Sequence, residues 1–154
     1  MRWLILVLAL TFAPSAQAIC VLCSCNVEPD SMAFGAFAPL DNAPLNGASN
    51  IKVTCSGIAA LDAVTLRLNG GVNGTVAQRR MKSGANLLDY NLYRDAARTQ
   101  IWGTGSGGYA AVEVENTLGL LGWTSNTPVW GRIAPAPATP PGSYSDTVTV
   151  TVEW

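Results

Sequence analysis

The sequence predicts an all-β protein built as a sandwich of two sheets, and three observations support this class. Helical periodicity, with apolar residues at every third or fourth position, is nearly absent. Short runs of alternating apolar and polar residues recur along the chain, and Gly, Pro, Asn and Asp separate them. Charged residues make up only 12% of the chain and hydrophobic residues 49%, which fits an exported β protein.

The N-terminal segment, residues 1–18, is predicted to be a signal peptide that is cleaved off and is not part of the folded domain. Arg2 supplies a positively charged start, residues 3–12 are predominantly apolar, and Ala16-Gln17-Ala18 has the small-residue pattern of a cleavage site. Because a bilayer-spanning helix needs roughly 20 apolar residues, no stable membrane insertion is expected. A single domain is predicted over residues 19–154.

The strands are predicted from alternation, taken in chain order. The run at 50–55 places Ile51, Val53 and Cys55 on one face, as a half-buried strand does. The run at 61–68 alternates in the same way and is followed by the turn signal Asn-Gly-Gly. The candidate strands before the last lie at residues 32–37, 50–55, 61–68, 79–82, 87–93, 109–115 and 127–133. Their spacing predicts an immunoglobulin-like sandwich.

The last run, residues 144–154, carries the clearest strand pattern. Only Asp146 interrupts its apolar face, while Ser, Thr and Glu occupy the opposite face. The residues of the apolar face are Tyr144, Val148, Val150, Val152 and Trp154. A strand at a sheet edge leaves its backbone open to pairing, so two interpretations stand: an earlier strand closes this edge, or a partner adds a strand to it.

Charge and cysteine content exclude several classes of function. A net charge of −1 argues against nucleic-acid binding, which requires a basic surface. The chain has no histidine, so no metal site is expected from its cysteines. The four cysteines are Cys20, Cys23, Cys25 and Cys55. An even number behind a signal peptide predicts structural disulfides, with three possible connectivities.

No catalytic motif is predicted, and the chain is not expected to be an enzyme or to bind a cofactor. Residues 103–108 match the letters of a dinucleotide-binding fingerprint, but they lead into a predicted strand rather than a helix. A catalytic triad would lack its histidine base. Glu113 and Glu115 share one face of a strand and are interpreted as a solvated face rather than an acid–base pair.

Several strings taken in order resemble the spore coat protein U domain family, the subunits of archaic chaperone–usher pili. They are Cys25 followed by Phe34-Gly35, the VTC ending at Cys55, RRMKSG at 79–84, LDYNLYRDAARTQIWG at 88–103, and PPGSYSDTVTVTVEW at 140–154. The resemblance covers essentially the whole predicted mature chain. It implies an incomplete immunoglobulin-like β-sandwich that lacks its seventh strand and is completed by a donated strand.

The resemblance also implies function and partners. A periplasmic chaperone would donate a strand during export, and the next pilus subunit would replace it at an outer-membrane usher. The expected role is therefore a structural or adhesive subunit of a surface pilus. The alternative is a free-standing secreted coat or biofilm-matrix protein with a closed sandwich. The resemblance pairs Cys25 with Cys55, leaves Cys20 to pair with Cys23, and makes the apolar face of residues 144–154 the edge that contacts the chaperone.

Two further expectations concern the position and the surface of such a subunit. Residues 19–24 supply a short segment before Cys25, which is too short for an efficient donor strand and suggests a tip or terminating position. Leu120, Leu121 and Trp123 are grouped in the string GLLGWTSN, which is read as a turn. We predict that this group is an exposed apolar cluster able to adhere to surfaces.

Overall fold

The computed structural model describes residues 23–36, 43–57, 62–136 and 138–154. Over these residues it contains strands and no helix, which confirms the all-β prediction. In chain order the strands are β1 (Ser24–Pro29), β2 (Leu45–Ser56), β3 (Ala63–Leu68), β4 (Arg79–Ser83), β5 (Asn86–Tyr93), β6 (Val112–Glu115), β7 (Gly122–Ile133) and β8 (Val150–Glu153). They form two antiparallel sheets, ordered β1-β2-β7-β5-β4 and β6-β3-β8.

The larger sheet is built around the long antiparallel pair of β2 and β7. The two strands pair along their whole length, from Leu45 opposite Ile133 to Ser56 opposite Gly122. Alternate residues of β2 are buried, as the sequence pattern of Ile51 and Val53 predicts. Because every second side chain faces the second sheet, this pair forms a continuous wall of the core.

The smaller sheet covers that wall and contributes the other half of the core. The central strand β3 buries Val64, Leu66 and Leu68 almost completely. Trp102, from the connection between β5 and β6, is fully buried beside them and donates its indole N–H to the carbonyl of Leu66 over 3.0 Å. The immunoglobulin-like sandwich expected from the strand spacing is therefore present.

A buried guanidinium ties the loops at one end of the sandwich together. The Arg79 side chain is fully buried and donates hydrogen bonds to the carbonyl of Asn69, to the carbonyl of Trp102 and to Oδ1 of Asn91, at 2.6–2.9 Å. Burial lowers the pKa of Arg79 to about 10, so the group remains a cation at neutral pH. Its donors satisfy carbonyl groups that would otherwise be buried without a partner.

Several strand predictions are wrong in position: besides the two described next, β2 begins at Leu45 rather than at residue 50, and β6 begins at Val112 rather than at residue 109. The strand predicted at 32–37 is absent, since residues 31–36 are irregular and Phe37 lies outside the described residues. Gly35 has a φ of +82°, which interrupts an extended strand. The first strand is instead β1, directly before this segment. β7 begins at Gly122 rather than at residue 127, because its polar first half is held by pairing with β2 and not by burial.

The last strand is much shorter than predicted. Only β8 (Val150–Glu153) pairs as a strand, on β3. Upstream, Ser145 exchanges both backbone hydrogen bonds with Lys82 of β4, which belongs to the other sheet. The segment between them therefore crosses from one sheet to the other, and a chain that changes sheets cannot keep one continuous ladder.

Candidate functional site

An open groove lies between two segments of the chain, one directly after β1 and the other directly before β8. It encloses a volume of about 810 Å³. One rim is formed by residues 29–36 and the other by residues 142–148 together with Val150, the first residue of β8. The floor consists of core side chains from both sheets: Ile51, Leu68, Met81, Leu88, Tyr90, Leu92, Val129 and Ile133. The groove thus opens directly onto the hydrophobic core.

The main chain of both rims is unpaired over several residues. Within the described part of the chain, no backbone N–H or C=O of residues 31–36 makes a hydrogen bond, and the same holds for residues 146–148. β8 pairs with β3 on one side only and is an edge of its sheet. Because buried backbone groups need partners, these rims are compatible with water or with an added strand, and not with an apolar cover.

The first rim is anchored by two side chains that fill a recess in the wall. Gly47 of β2 and Gly131 of β7 lie directly opposite each other and both are buried. A Cβ at Gly131 would meet the side chains of Met32 and Phe34, the latter at 2.7 Å. The absence of side chains at the glycine pair therefore lets Met32 and Phe34 pack against the sheet, which holds the irregular segment in place without backbone pairing.

The second rim is held at both ends by hydrogen bonds. At one end Ser145 pairs with Lys82 at 2.8 and 3.1 Å. At the other end the amide of Thr149 donates to Oδ1 of Asn69 over 2.9 Å, and the amide of Asn69 donates to the carbonyl of Thr149. The free stretch between these anchors is residues 146–148, so its position along the groove is defined although its backbone is unpaired.

Asp146 is the one carboxylate on the second rim, and it is well bound. Its Oδ1 accepts from the amide of Val72 over 3.1 Å and from Nδ2 of Asn73 over 3.0 Å. Its Oδ2 accepts from the hydroxyl of Tyr90 over 2.7 Å. Burial raises the pKa of the Tyr90 phenol, and the hydrogen bond to Asp146 raises it further. Both residues line the groove, where they form a polar position among apolar ones.

The predicted acceptor residues divide into three groups in the structure. Tyr144, Val148 and Val150 line the groove. Val152 is half-buried against the core in β8 and does not line the groove. Trp154 is 58% exposed. The sequence predicts a strand at residues 32–37 and so does not indicate that residues 29–36 form the first rim of a groove.

The predicted adhesive group is divided in the same way. Leu120 and Leu121 are exposed, and so is Leu118 beside them. The side chain of Asn116 holds this loop through hydrogen bonds with the carbonyl and the amide of Leu120. Trp123, however, lies within β7 opposite Cys55 and is half-buried against the core. The prediction that all three form one exposed cluster in a turn is therefore wrong for Trp123, because Gly122 starts a strand.

The disulfide implied between Cys25 and Cys55 is present and joins β1 to β2 in register. Cys23 is also disulfide-bonded. Its expected partner Cys20 lies outside the described residues, as does the predicted signal peptide at residues 1–18. The Cys25–Cys55 disulfide fixes β1 on β2, and β1 leads directly into the first rim.

The remaining features of the described residues concern metal ligands and the glycine-rich segment at 103–108. In the described ranges no three His, Cys, Asp or Glu side chains come together as metal ligands. Residues 103–108 form a tight loop in which the amide of Gly103 donates to Ala110 and the amide of Gly105 donates to Tyr109. This loop leads towards β6 and not into a helix. The described residues also include no helix long and apolar enough to cross a membrane.

Comparison with known proteins adds a family and a structural relative. A family model described as the Spore Coat Protein U domain matches residues 10–151. None of the curated proteins matches the chain at a significant level. A chain in the solved CsuC-CsuE chaperone-tip adhesion subunit pre-assembly complex, from archaic chaperone-usher Csu pili of Acinetobacter baumannii, is 28% identical with a TM-score of 0.59. The match covers 87% of the present chain and 40% of that chain, so the present chain spans less than half the length of its relative.

Proposed function

The chain belongs to the Spore Coat Protein U domain family, and from this membership and the open groove we propose that it is a subunit of a chaperone–usher surface pilus. In this proposal the groove accepts a β-strand from another chain, and the added strand completes the sandwich. The protein is then an assembly component with no catalytic role. It is exported to the periplasm, where it meets its chaperone, and ends on the cell surface.

One observation supports the proposal most: an apolar floor is bordered by two rims in which, among the described residues, the backbone of residues 31–36 and 146–148 makes no hydrogen bond. An apolar ligand would cover the floor but would leave the rim amides and carbonyls buried without hydrogen bonds. A β-strand satisfies both requirements, because its alternate side chains reach the floor and its backbone pairs with the rims. The first rim, residues 29–36, spans at most about 29 Å when fully extended, which is ample for a strand of ordinary length.

The partners follow from this mode of binding. A periplasmic chaperone fills the groove first, and a neighbouring subunit replaces the chaperone strand at the outer-membrane usher. The relative with the similar fold was solved as a complex with its chaperone, which supports the first step. Val148 and Val150, on the second rim, are the residues proposed to contact the incoming side chains, and Tyr144 marks one end of the groove.

Hydrogen exchange of the chain with and without a donor strand tests the proposal. In the free chain, amides of residues 31–36 and 146–148 are expected to exchange within seconds, while amides of β2 and β7 are protected. Addition of a saturating donor peptide, or co-expression with the chaperone, should protect the rims and leave β2 and β7 unchanged. A free chain that is a stable monomer with protected rims would instead support the closed, free-standing coat or matrix protein.

We further propose that the loop between β6 and β7 makes the subunit adhesive. Leu118 is 77% exposed, and Leu120 and Leu121 lie beside it in a loop held by Asn116. Exposed apolar groups of this kind mark interaction sites. Replacing Leu118 and Leu121 with Ser is expected to reduce binding of the assembled pili to hydrophobic surfaces several-fold. Val72→Ser is the matched control, because Val72 is 71% exposed in a different loop. Equal losses in both variants would remove the proposed role.

We propose a tip or terminating position in the pilus because the first strand is already paired within the subunit. Residues from Ser24 onward are already paired with β2 in β1, from Ser24 opposite Ser56 to Pro29 opposite Ile51. They are therefore engaged within the subunit and cannot serve as a donor strand for a neighbour. A peptide of residues 19–28 is expected to displace chaperone from other subunits much more slowly than their own donor segments do. Displacement at equal rates would contradict this position.

A further inference from the structure

The groove carries a polar position formed by two hydrogen-bonded side chains, and its chemistry restricts what can lie against it. Asp146 lines the groove together with Val148 and Val150 of the same rim. Its neighbour across the groove floor is the Tyr90 hydroxyl. The other core side chains of the floor are aliphatic or Met, and further polar residues of the lining include Ser49 and Asp30. Asp146 and Tyr90 together form the polar position of the groove.

The carboxylate keeps unused acceptor capacity. Oδ1 accepts two hydrogen bonds, from Val72 and Asn73, whereas Oδ2 accepts only the hydrogen bond from Tyr90. An ionised carboxylate oxygen has two lone pairs, so Oδ2 can accept one more donor. Asp146 is half-buried and water reaches it in the open groove. A strand that fills the groove would remove this water, and a buried acceptor left without a partner is unfavourable.

The charge of Asp146 is already partly balanced from within the fold. Arg79 lies close enough to interact electrostatically with Asp146, and its own hydrogen bonds go to the uncharged acceptors Asn69, Trp102 and Asn91. None of the groups that accept a hydrogen bond from Arg79 in the described structure is a carboxylate. Because a positive charge is already present nearby, the position needs a hydrogen-bond donor from the incoming strand and does not need a second cation.

We propose that the groove selects a donor strand with a hydroxyl or amide side chain, such as Thr, Ser or Asn, at the position that faces Asp146. At the remaining inward positions the strand carries aliphatic side chains. This inference rests on the proposed function, since it concerns the same groove. It adds a register signal: a strand shifted by one inward position would place an aliphatic group on Asp146 and a polar group on the apolar floor.

Peptide binding to the full chain recovered from periplasmic expression tests the inference. The probe is a labelled peptide of about twelve residues with Val at the inward positions and Thr at the outward positions, and each inward Val is replaced by Thr in turn. Val and Thr have nearly the same shape, so the comparison isolates the hydroxyl. Thr should bind about 10-fold more weakly at most inward positions and about 10-fold more tightly at one of them. A Lys in that position should bind no better than Thr.

Two variants show that this position faces Asp146. Asp146→Ala should abolish the preference for Thr at the one position and leave the other positions unchanged. Tyr90→Phe removes the donor to Oδ2 and should make the preference for Thr larger, which a merely structural role of Tyr90 would not do. Asp89→Ala is the control, because Asp89 is an exposed carboxylate paired with Arg80 outside the groove. Melting curves establish that each variant is folded.

The outcomes separate this inference from the proposed function. Binding of the all-Val peptide with no position that prefers Thr would overturn the inference and leave strand acceptance intact. A preference for Thr that survives in Asp146→Ala would overturn it as well. Absence of binding by every peptide to the folded chain would overturn the proposed function itself. The scan uses the unmodified protein first, so it remains decisive even where Asp146→Ala fails to fold.

Discussion

The wall formed by β2 and β7 and the groove beside it differ in how their backbones are satisfied. The two wall strands pair along their whole length, from Leu45 to Ser56 on one and from Gly122 to Ile133 on the other. The unpaired stretches of the groove rims, residues 31–36 and 146–148, make no backbone hydrogen bonds within the described residues. Both regions border the same apolar core. The backbone of the wall is therefore satisfied within the chain, whereas the unpaired backbone of the groove is open to water or to an added strand.

The difference also explains why we propose a strand, and not an apolar ligand, as the occupant of the groove. Hydrated amides in an open groove cost little, because water pairs with them. Covering them converts each into a buried polar group that requires a partner. Only an extended backbone offers donors and acceptors along both rims at once. Substitutions in the wall should therefore change the stability of the free chain, and substitutions in the groove should chiefly change its complex.

The largest effect is expected from Arg79→Met, which should lower the free energy of unfolding by about 3–5 kcal/mol. The substitution retains much of the side-chain volume but leaves the carbonyls of Asn69 and Trp102 and the amide of Asn91 buried without their donor. Urea unfolding followed by tryptophan fluorescence measures the change. Arg80→Met is the control: Arg80 pairs with Asp89 at the surface, so its loss should cost less than about 1 kcal/mol. Equal losses would contradict the role of Arg79.

Removal of the disulfide is expected to have the next largest effect. Cys25 and Cys55 are separated by 30 positions in the sequence, and loss of a cross-link over such a loop should lower the free energy of unfolding by roughly 3–4 kcal/mol. The double variant Cys25→Ala, Cys55→Ala measures it by urea unfolding. Reductant should destabilise the native chain by a similar amount and the double variant much less. A native chain that is insensitive to reductant would refute this expectation.

Gly131→Ala tests the junction between the wall and the first rim. The new Cβ would overlap the Met32 and Phe34 side chains, so we expect a loss of about 1–3 kcal/mol from overpacking. Hydrogen exchange should show residues 31–36 further loosened while the rest of β7 stays protected. Gly122→Ala on the same strand is the control, because the nearest atom to its Cβ is the carbonyl oxygen of Cys55 at 3.8 Å. Similar effects of both substitutions would show that the recess is not needed.

The sequence predicted the wall better than the groove, for a physical reason. Alternation identified the buried face of β2 at Ile51 and Val53, and the ordered strings identified the family. Alternation along residues 144–154 also indicated the second rim through Val148 and Val150. Periodic burial leaves a periodic pattern, so the elements that depend on it can be detected in one sequence.

What the sequence did not predict depends on contacts between distant segments. The first rim is irregular although the sequence predicts a strand at 32–37, and its position depends on the glycines of β2 and β7, which meet only after the strands pair. The last strand was predicted as one long element because alternation does not reveal that Ser145 pairs with Lys82 of the other sheet. Trp123 was assigned to a turn because the polar first half of β7 has a weak hydrophobic pattern.

The smallest effect on the free chain, under about 1 kcal/mol, is expected from Val148→Ala, since Val148 is half-buried and borders the open groove. The matched substitution Val53→Ala should cost about 2 kcal/mol, because Val53 is 0% exposed in the wall. With a donor peptide bound, Val148 becomes buried, and its truncation should weaken peptide binding several-fold while Val53→Ala leaves the Kd nearly unchanged. Urea unfolding of the free chains and fluorescence titration with the peptide measure the two quantities. If Val148→Ala and Val53→Ala changed the unfolding free energy equally and also changed the peptide Kd equally, the proposed difference between wall and groove would be wrong.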